Sequence, residues 1–226
     1  YSWFEFHADD ATDGARLAAG VRAAADRVAL LLADVAREHP GPPRAVACGF
    51  SQGGMLAFAL AALHPEQVAA AVSLSGYLPT GLWPAERPVV RPLPRVVALH
   101  GEADPLIPMD AARWSVEALR ANGYDATLQT WPGVGHNLSP AIRASLETAV
   151  VRAVTELSQP GGVLPGPPTP PGAEKPVGLG YGEPAFPPLP VEWGDTVITS
   201  PLICYQQFLL SENLIVLTVA KVCSAG

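Results

Sequence analysis

Residues 44–63 read RAVACGFSQGGMLAFALAAL, and the rest of the chain can be read outward from them. The first seven residues form a nearly unbroken apolar run, the pattern of a short strand buried on both faces of a parallel sheet. From Ser51 onward the composition turns to Ala, Leu, Met and Phe, which predicts a helix over 51–63, closed by His64 and Pro65. A serine therefore sits at a strand-to-helix turn, with Gly49 and Gly53 two positions to either side. Such a turn must be tight and strained to expose a hydroxyl, so its flanks tolerate only small side chains. A helix opening at the serine also aims N–H groups, that of Gln52 first, at an anion beside it. The bare G-x-S-x-G pattern recurs by chance. The strand before it and the helix after it are what make Ser51 a candidate nucleophile.

Upstream, apolar residues recur at Leu17, Val21, Ala24, Val28, Leu31, Leu32 and Val35, one face of a helix over 14–37 with Asp13 as N-cap. Downstream, apolar runs predict strands at 68–77, 95–101 and 125–131, and periodic segments predict helices at 109–123 and 139–157, the latter with Pro140 in its first turn. Strands alternating with helices imply an α/β fold: a mostly parallel sheet with helices on both faces. In such sheets reactive groups gather in loops at the carboxyl ends of the strands.

The pattern ends near Ser158, and we expect residues 1–158 to form the α/β domain. Residues 160–190 hold 11 prolines and 7 glycines in 31 positions, too many for helix or sheet, so 159–190 reads as a disordered linker. Residues 191–226 have room for two short strands but not for a core of their own. They are expected either to stay apart or to add a substitute edge strand to the sheet.

Composition narrows the function. The 14 basic residues are outnumbered by 21 acidic ones, and no basic run occurs, which argues against nucleic acid or an anionic membrane as partner. The apolar run 214–220 is far short of a membrane span. Cys48, Cys204 and Cys223 are too few and too scattered for a disulfide framework or a zinc site, so a reducing, cytoplasmic setting is expected, without metal. The chain opens on YSWFEF without methionine, as a processed or partial chain would.

A serine hydroxyl needs a general base, which in turn needs a carboxylate to orient it. Asp104, in HGEADPLIP at 100–108, and His136, in GVGHNLSP at 133–140, both follow predicted strands and stand in the order Ser, Asp, His. The plainer alternatives are a turn aspartate before Pro105 and a loop or helix-capping histidine. Glu102 is near Asp104 but closer to the strand. His39 and His64 precede prolines at helix ends, His100 ends a strand, and His7 could line a site without being required.

Together, WFEF followed by a long helix, GFSQGG, SLSGYLP, HGEADPLIP and GVGHNLSP resemble the phospholipase/carboxylesterase branch of the α/β-hydrolases, over residues 1–157. The resemblance implies Ser51 as nucleophile, Asp104 as orienting acid, His136 as general base and the Gln52 N–H as one oxyanion donor. It also implies an acyl pocket near Trp3, Phe4, Leu78 and Leu106, and no cofactor. Family members carry two strands and an HG loop ahead of the Trp-Phe element. The chain is therefore expected to be truncated at its N-terminus and to lack the second oxyanion donor, a loss of about 10²–10³ in kcat.

The expected function is hydrolysis of small-molecule carboxylic esters or thioesters through an acyl-enzyme, with a homodimer as the protein partner in view. Two alternatives stand beside it. One is a fragment of a prolyl-oligopeptidase-type serine peptidase, which shares the elbow and the Asp and His boxes. The other is a non-catalytic remnant whose proline-rich tail binds partners in the manner of P-x-x-P ligands.

Overall fold

The computed structural model describes residues 3–5, 14–38, 44–85 and 92–157, together with the backbone of 205–211 and 214–220. Its elements are α1 (Gly14–Glu38), β1 (Ala45–Phe50), α2 (Gln52–Leu63), β2 (Val68–Leu74), β3 (Arg95–Gly101), α3 (Met109–Ala121), β4 (Ala126–Trp131), α4 (Pro140–Leu157), β5 (Tyr205–Ser211) and β6 (Leu214–Ala220). Six strands form one sheet in the order β4-β3-β2-β1-β6-β5. Neighbours from β4 to β1 are parallel, and β6 is parallel to β1. The β5 strand folds back antiparallel on β6.

Alternation along β1 sorts its side chains between two layers. Ala45 and Ala47 belong to the layer that holds α1, α2 and α3, whereas Cys48 and Phe50 belong with Ile142 and Leu146 of α4. Helix α2 is buried from Gln52 to Ala61 because it lies between the sheet and α1. That placement explains why its sequence is apolar all round rather than along one stripe. Arg44, ahead of β1, is buried and donates from its guanidinium to the carbonyls of Pro65 and Val68, tying the start of β1 to that of β2.

Of the boundaries that differ from the sequence expectation, three have a plain local reason. Helix α2 begins at Gln52 rather than Ser51, because Ser51 holds φ 57° and ψ −117°, outside any helical region. Strand β2 stops at Leu74 rather than residue 77, because Ser75 turns to φ 44° and Gly76 crosses α2. A Cβ on Gly76 would lie 2.6 Å from the carbonyl carbon of Gly54, so only glycine fits that crossing. Helix α4 opens behind Ser139, whose hydroxyl accepts the Ile142 N–H at 3.3 Å. The C-terminal segment joins the sheet through two strands, with β6 against β1 and β5 at the edge. Asp13 and residues 159–190 lie outside the described residues. Among the described residues no helix is long and apolar enough to cross a membrane.

Candidate active site

Ser51 sits at the carboxyl end of β1, in the middle of the sheet, where parallel topology directs reactive groups. Its left-handed φ is of a kind that costs about 1–3 kcal/mol, so the surroundings must hold it. They do so at both faces of the peptide. The Ser51 N–H donates to the Leu74 carbonyl at 2.9 Å, and the Ser51 carbonyl accepts the Met55 N–H at 3.0 Å. Gly54 completes the fit, since a Cβ there would lie 2.8 Å from the Leu74 carbonyl oxygen.

Asp104 stands in the loop after β3 with its side chain fully buried. One carboxylate oxygen accepts the N–H groups of Leu106 and Ile107, each at 2.9 Å. The other accepts from Nδ1 of His136 at 2.7 Å. Burial works to raise the Asp104 pKa, but these hydrogen bonds outweigh it and hold the carboxyl below its ordinary value. A carboxylate that accepts a hydrogen bond from Nδ1–H fixes the tautomer whose Nε2 lone pair is available for proton abstraction. His136 Nε2 is buried and has no hydrogen-bond partner among the described residues, Ser51 Oγ included. The imidazole packs on Phe50, the residue before Ser51, with ring centroids 4.8 Å apart.

The loops carrying Asp104 and His136 are stitched together. Glu102 donates its N–H to the Trp131 carbonyl at 3.0 Å, and Ala103 to that of Val134 at 2.9 Å. Gly101 permits this approach, because a Cβ there would fall 2.2 Å from the Val134 oxygen. Gly54, Gly76 and Gly101 carried no signal in the sequence beyond their places beside the elbow and near the ends of β2 and β3. His100 is fully buried, and its Nε2–H donates to the Ile107 carbonyl at 2.9 Å, closing the acid loop from beneath. Glu102 faces away and accepts from the Thr130 hydroxyl at 2.7 Å.

The four residues expected around an acyl chain are spread through different environments. Phe4 and Leu78 are buried in the main core, Trp3 is partly buried against it, and Leu106 is 62% exposed beside Asp104. Gln52 is buried, at 6% exposure. Among the described residues, no group of three or more His, Cys, Asp or Glu is arranged to hold a metal ion.

Residues 1–149 match the family model described as Phospholipase/Carboxylesterase. The chain belongs to that family. Curated members similar to it include a protein named as a probable carboxylesterase from Oryza sativa subsp. japonica, 31% identical over 150 residues, covering 65% of this chain and 56% of the relative. Acyl-protein thioesterase 1 of Gibberella zeae is 33% identical over 104 residues, covering 44% of this chain and 43% of the relative. The chain spans about half the length of these curated relatives. The crystal structure of Arabidopsis thaliana SOBER1 shares the fold with a TM-score of 0.53 at 22% identity, over 68% of this chain and 74% of that structure. The architecture of this phospholipase/carboxylesterase family member is accordingly that of an α/β-hydrolase.

Proposed function

We propose that this chain is the nucleophile-bearing part of a serine hydrolase acting on small carboxylic esters or thioesters. Ser51 Oγ attacks the carbonyl carbon as His136 Nε2 takes its proton. Asp104 holds the imidazole in the required tautomer and balances the imidazolium. The tetrahedral oxyanion points to the start of α2, where Gln52 offers its main-chain N–H. His136 returns the proton to the leaving alcohol or thiol, and water then releases the acid from the acyl-enzyme by the same steps reversed. Trp3 and Leu106 offer apolar surface to the acyl chain, with Phe4 and Leu78 supporting it from the core side.

The observation that carries this reading is the 2.7 Å contact between a buried Asp104 and His136, whose ring packs next to the strained Ser51 turn. The similarity to proteins named as carboxylesterase and acyl-protein thioesterase supports the substrate class. The same reading divides the chain at residues 158 and 190 and sets it in the cytoplasm, where the buried Cys48 stays a thiol. The test is turnover of p-nitrophenyl acetate together with labelling by a fluorophosphonate. Labelling and turnover that both vanish in Ser51→Ala are expected; turnover undiminished in that variant overturns the assignment.

A further inference from the structure

The side chain of Gln52 makes a contact that the proposed chemistry does not use. Its Oε1 accepts the main-chain N–H of Trp3 at 3.2 Å, and its Nε2 donates to the main-chain carbonyl of Phe4 at 3.2 Å. One amide thus grips two consecutive residues of a segment 48 and 49 positions away in sequence. The segment is seated from the other side as well. Phe4 is buried in the main core, and its Cβ comes within 3.2 Å of the place a side chain on Gly20 of α1 would occupy. Trp3 packs against the same core. The Trp3–Phe4 peptide is therefore a fixed anchor wedged between α1 and the first residue of α2.

We infer that the Gln52 side chain is a positioning residue for the nucleophile, a strut that holds the strained Ser51 turn in its reactive conformation. The inference rests on Ser51 being the nucleophile. Its physical basis is the linkage between adjacent residues. Relaxing ψ of Ser51 away from −117° rotates the following peptide, and with it the whole of Gln52. Two hydrogen bonds to a segment packed into the core resist that rotation. The Ser51 main chain is bonded to Leu74 and Met55, which fix the turn on the sheet and helix sides. The Gln52 amide fixes it on the third side, toward α1. A primary amide meets this demand because it presents one acceptor and one donor in a plane, matching the Trp3 N–H and the Phe4 carbonyl. A residue with only one of the two functions keeps only one of the two bonds.

The test compares Gln52→Met, which keeps the volume and removes both bonds, with Gln52→Glu, which keeps the acceptor and regains a donor when protonated. Activity is referred to the fraction of Ser51 labelled by a fluorophosphonate, so that partly folded material is not counted. In Gln52→Met we expect kcat for p-nitrophenyl acetate per labelled serine to fall about 10- to 100-fold, with KM changed less than about twofold. We also expect the Trp3 amide, followed by NMR in ¹⁵N-tryptophan-labelled protein, to exchange with solvent faster. In Gln52→Glu the Trp3 amide stays protected while the kcat deficit narrows as pH falls. A Trp3 amide in Gln52→Met that exchanges as slowly as in the parent overturns the inference, as does an unchanged kcat per labelled serine. If the parent chain neither turns over the ester nor labels at Ser51, the esterase reading fails instead. The exchange rate of Trp3 then decides the clamp alone: faster exchange in Gln52→Met supports it, and parental exchange overturns it.

Discussion

One Asp104 oxygen holds His136 at 2.7 Å while the other is pinned by the N–H groups of Leu106 and Ile107. The carboxylate is thus aimed by its own loop before the histidine reaches it. Asp104→Asn keeps the shape but presents an amide where an anion stood, which favours the wrong imidazole tautomer. We expect kcat for p-nitrophenyl acetate to drop by about 10⁴ with little change in KM. A loss of less than about tenfold would remove Asp104 from the proposed machinery.

Thermal stability should fall with acid in two steps. Burial holds folded His100 below its ordinary pKa, whereas the unfolded chain takes up that proton near pH 6.5. The unfolded state then binds more protons, so the His100 contribution is complete above about pH 6.5 and is lost as pH falls below it. Asp104 has a depressed folded pKa, so its contribution is present above about pH 3.9 and is lost as pH falls through the folded value. Melting curves taken downward from pH 8 should show the first loss set in below about pH 6.5 and the second below about pH 3.9. His100→Gln should flatten the first, and Asp104→Asn the second.

Gly76 and Gly54 meet backbone to backbone, with no flexible side chain to yield. Gly76→Ala is expected to cost about 1–3 kcal/mol in urea denaturation, as overpacking does. It should also reduce fluorophosphonate labelling, because α2 must shift at the Ser51 turn. Unchanged stability would mean that the crossing is looser than its 2.6 Å approach implies.

Arg44 donates to two carbonyls from a buried position, and desolvation lowers its pKa against a smaller opposing effect of Glu66. Arg44→Met leaves the Pro65 and Val68 carbonyls short of a donor, at about 1–3 kcal/mol each. Arg44→Lys should recover only part of the loss, since one ammonium lacks the planar fork of donors. Chemical denaturation of the three forms gives the ranking directly.

The fold was largely legible because its strands are apolar runs and its helices follow them at regular spacing. Strand β1 could be read from AVACGF alone, and α2 from the residues after it. What stayed hidden depended on contacts between segments far apart in sequence. The end of β2 is set by Gly76 meeting Gly54, and no property of SLSGY on its own stops a strand at Leu74. The pairing of β6 with β1 was open for the same reason: residues 214–220 read as an apolar strand without naming a neighbour. At the site, motif order singled out Ser51, Asp104 and His136, and the structure brings Asp104 and His136 into contact. The grip of Gln52 on Trp3 and Phe4 left no trace in spacing, because a glutamine after a serine carries no periodic signal.

The left-handed φ of Ser51 has a consequence for evolution and engineering. A side chain at this position holds the fold at a disadvantage that selection for stability alone would remove. Ser51→Gly, inert under the proposed function, should therefore melt higher than both the parent and Ser51→Ala, because alanine keeps the Cβ that makes the angle unfavourable and glycine does not. The gap between the two variants measures how much stability the chain forgoes by carrying a side chain at this φ. Stabilising screens that ignore activity would be drawn to residue 51 first.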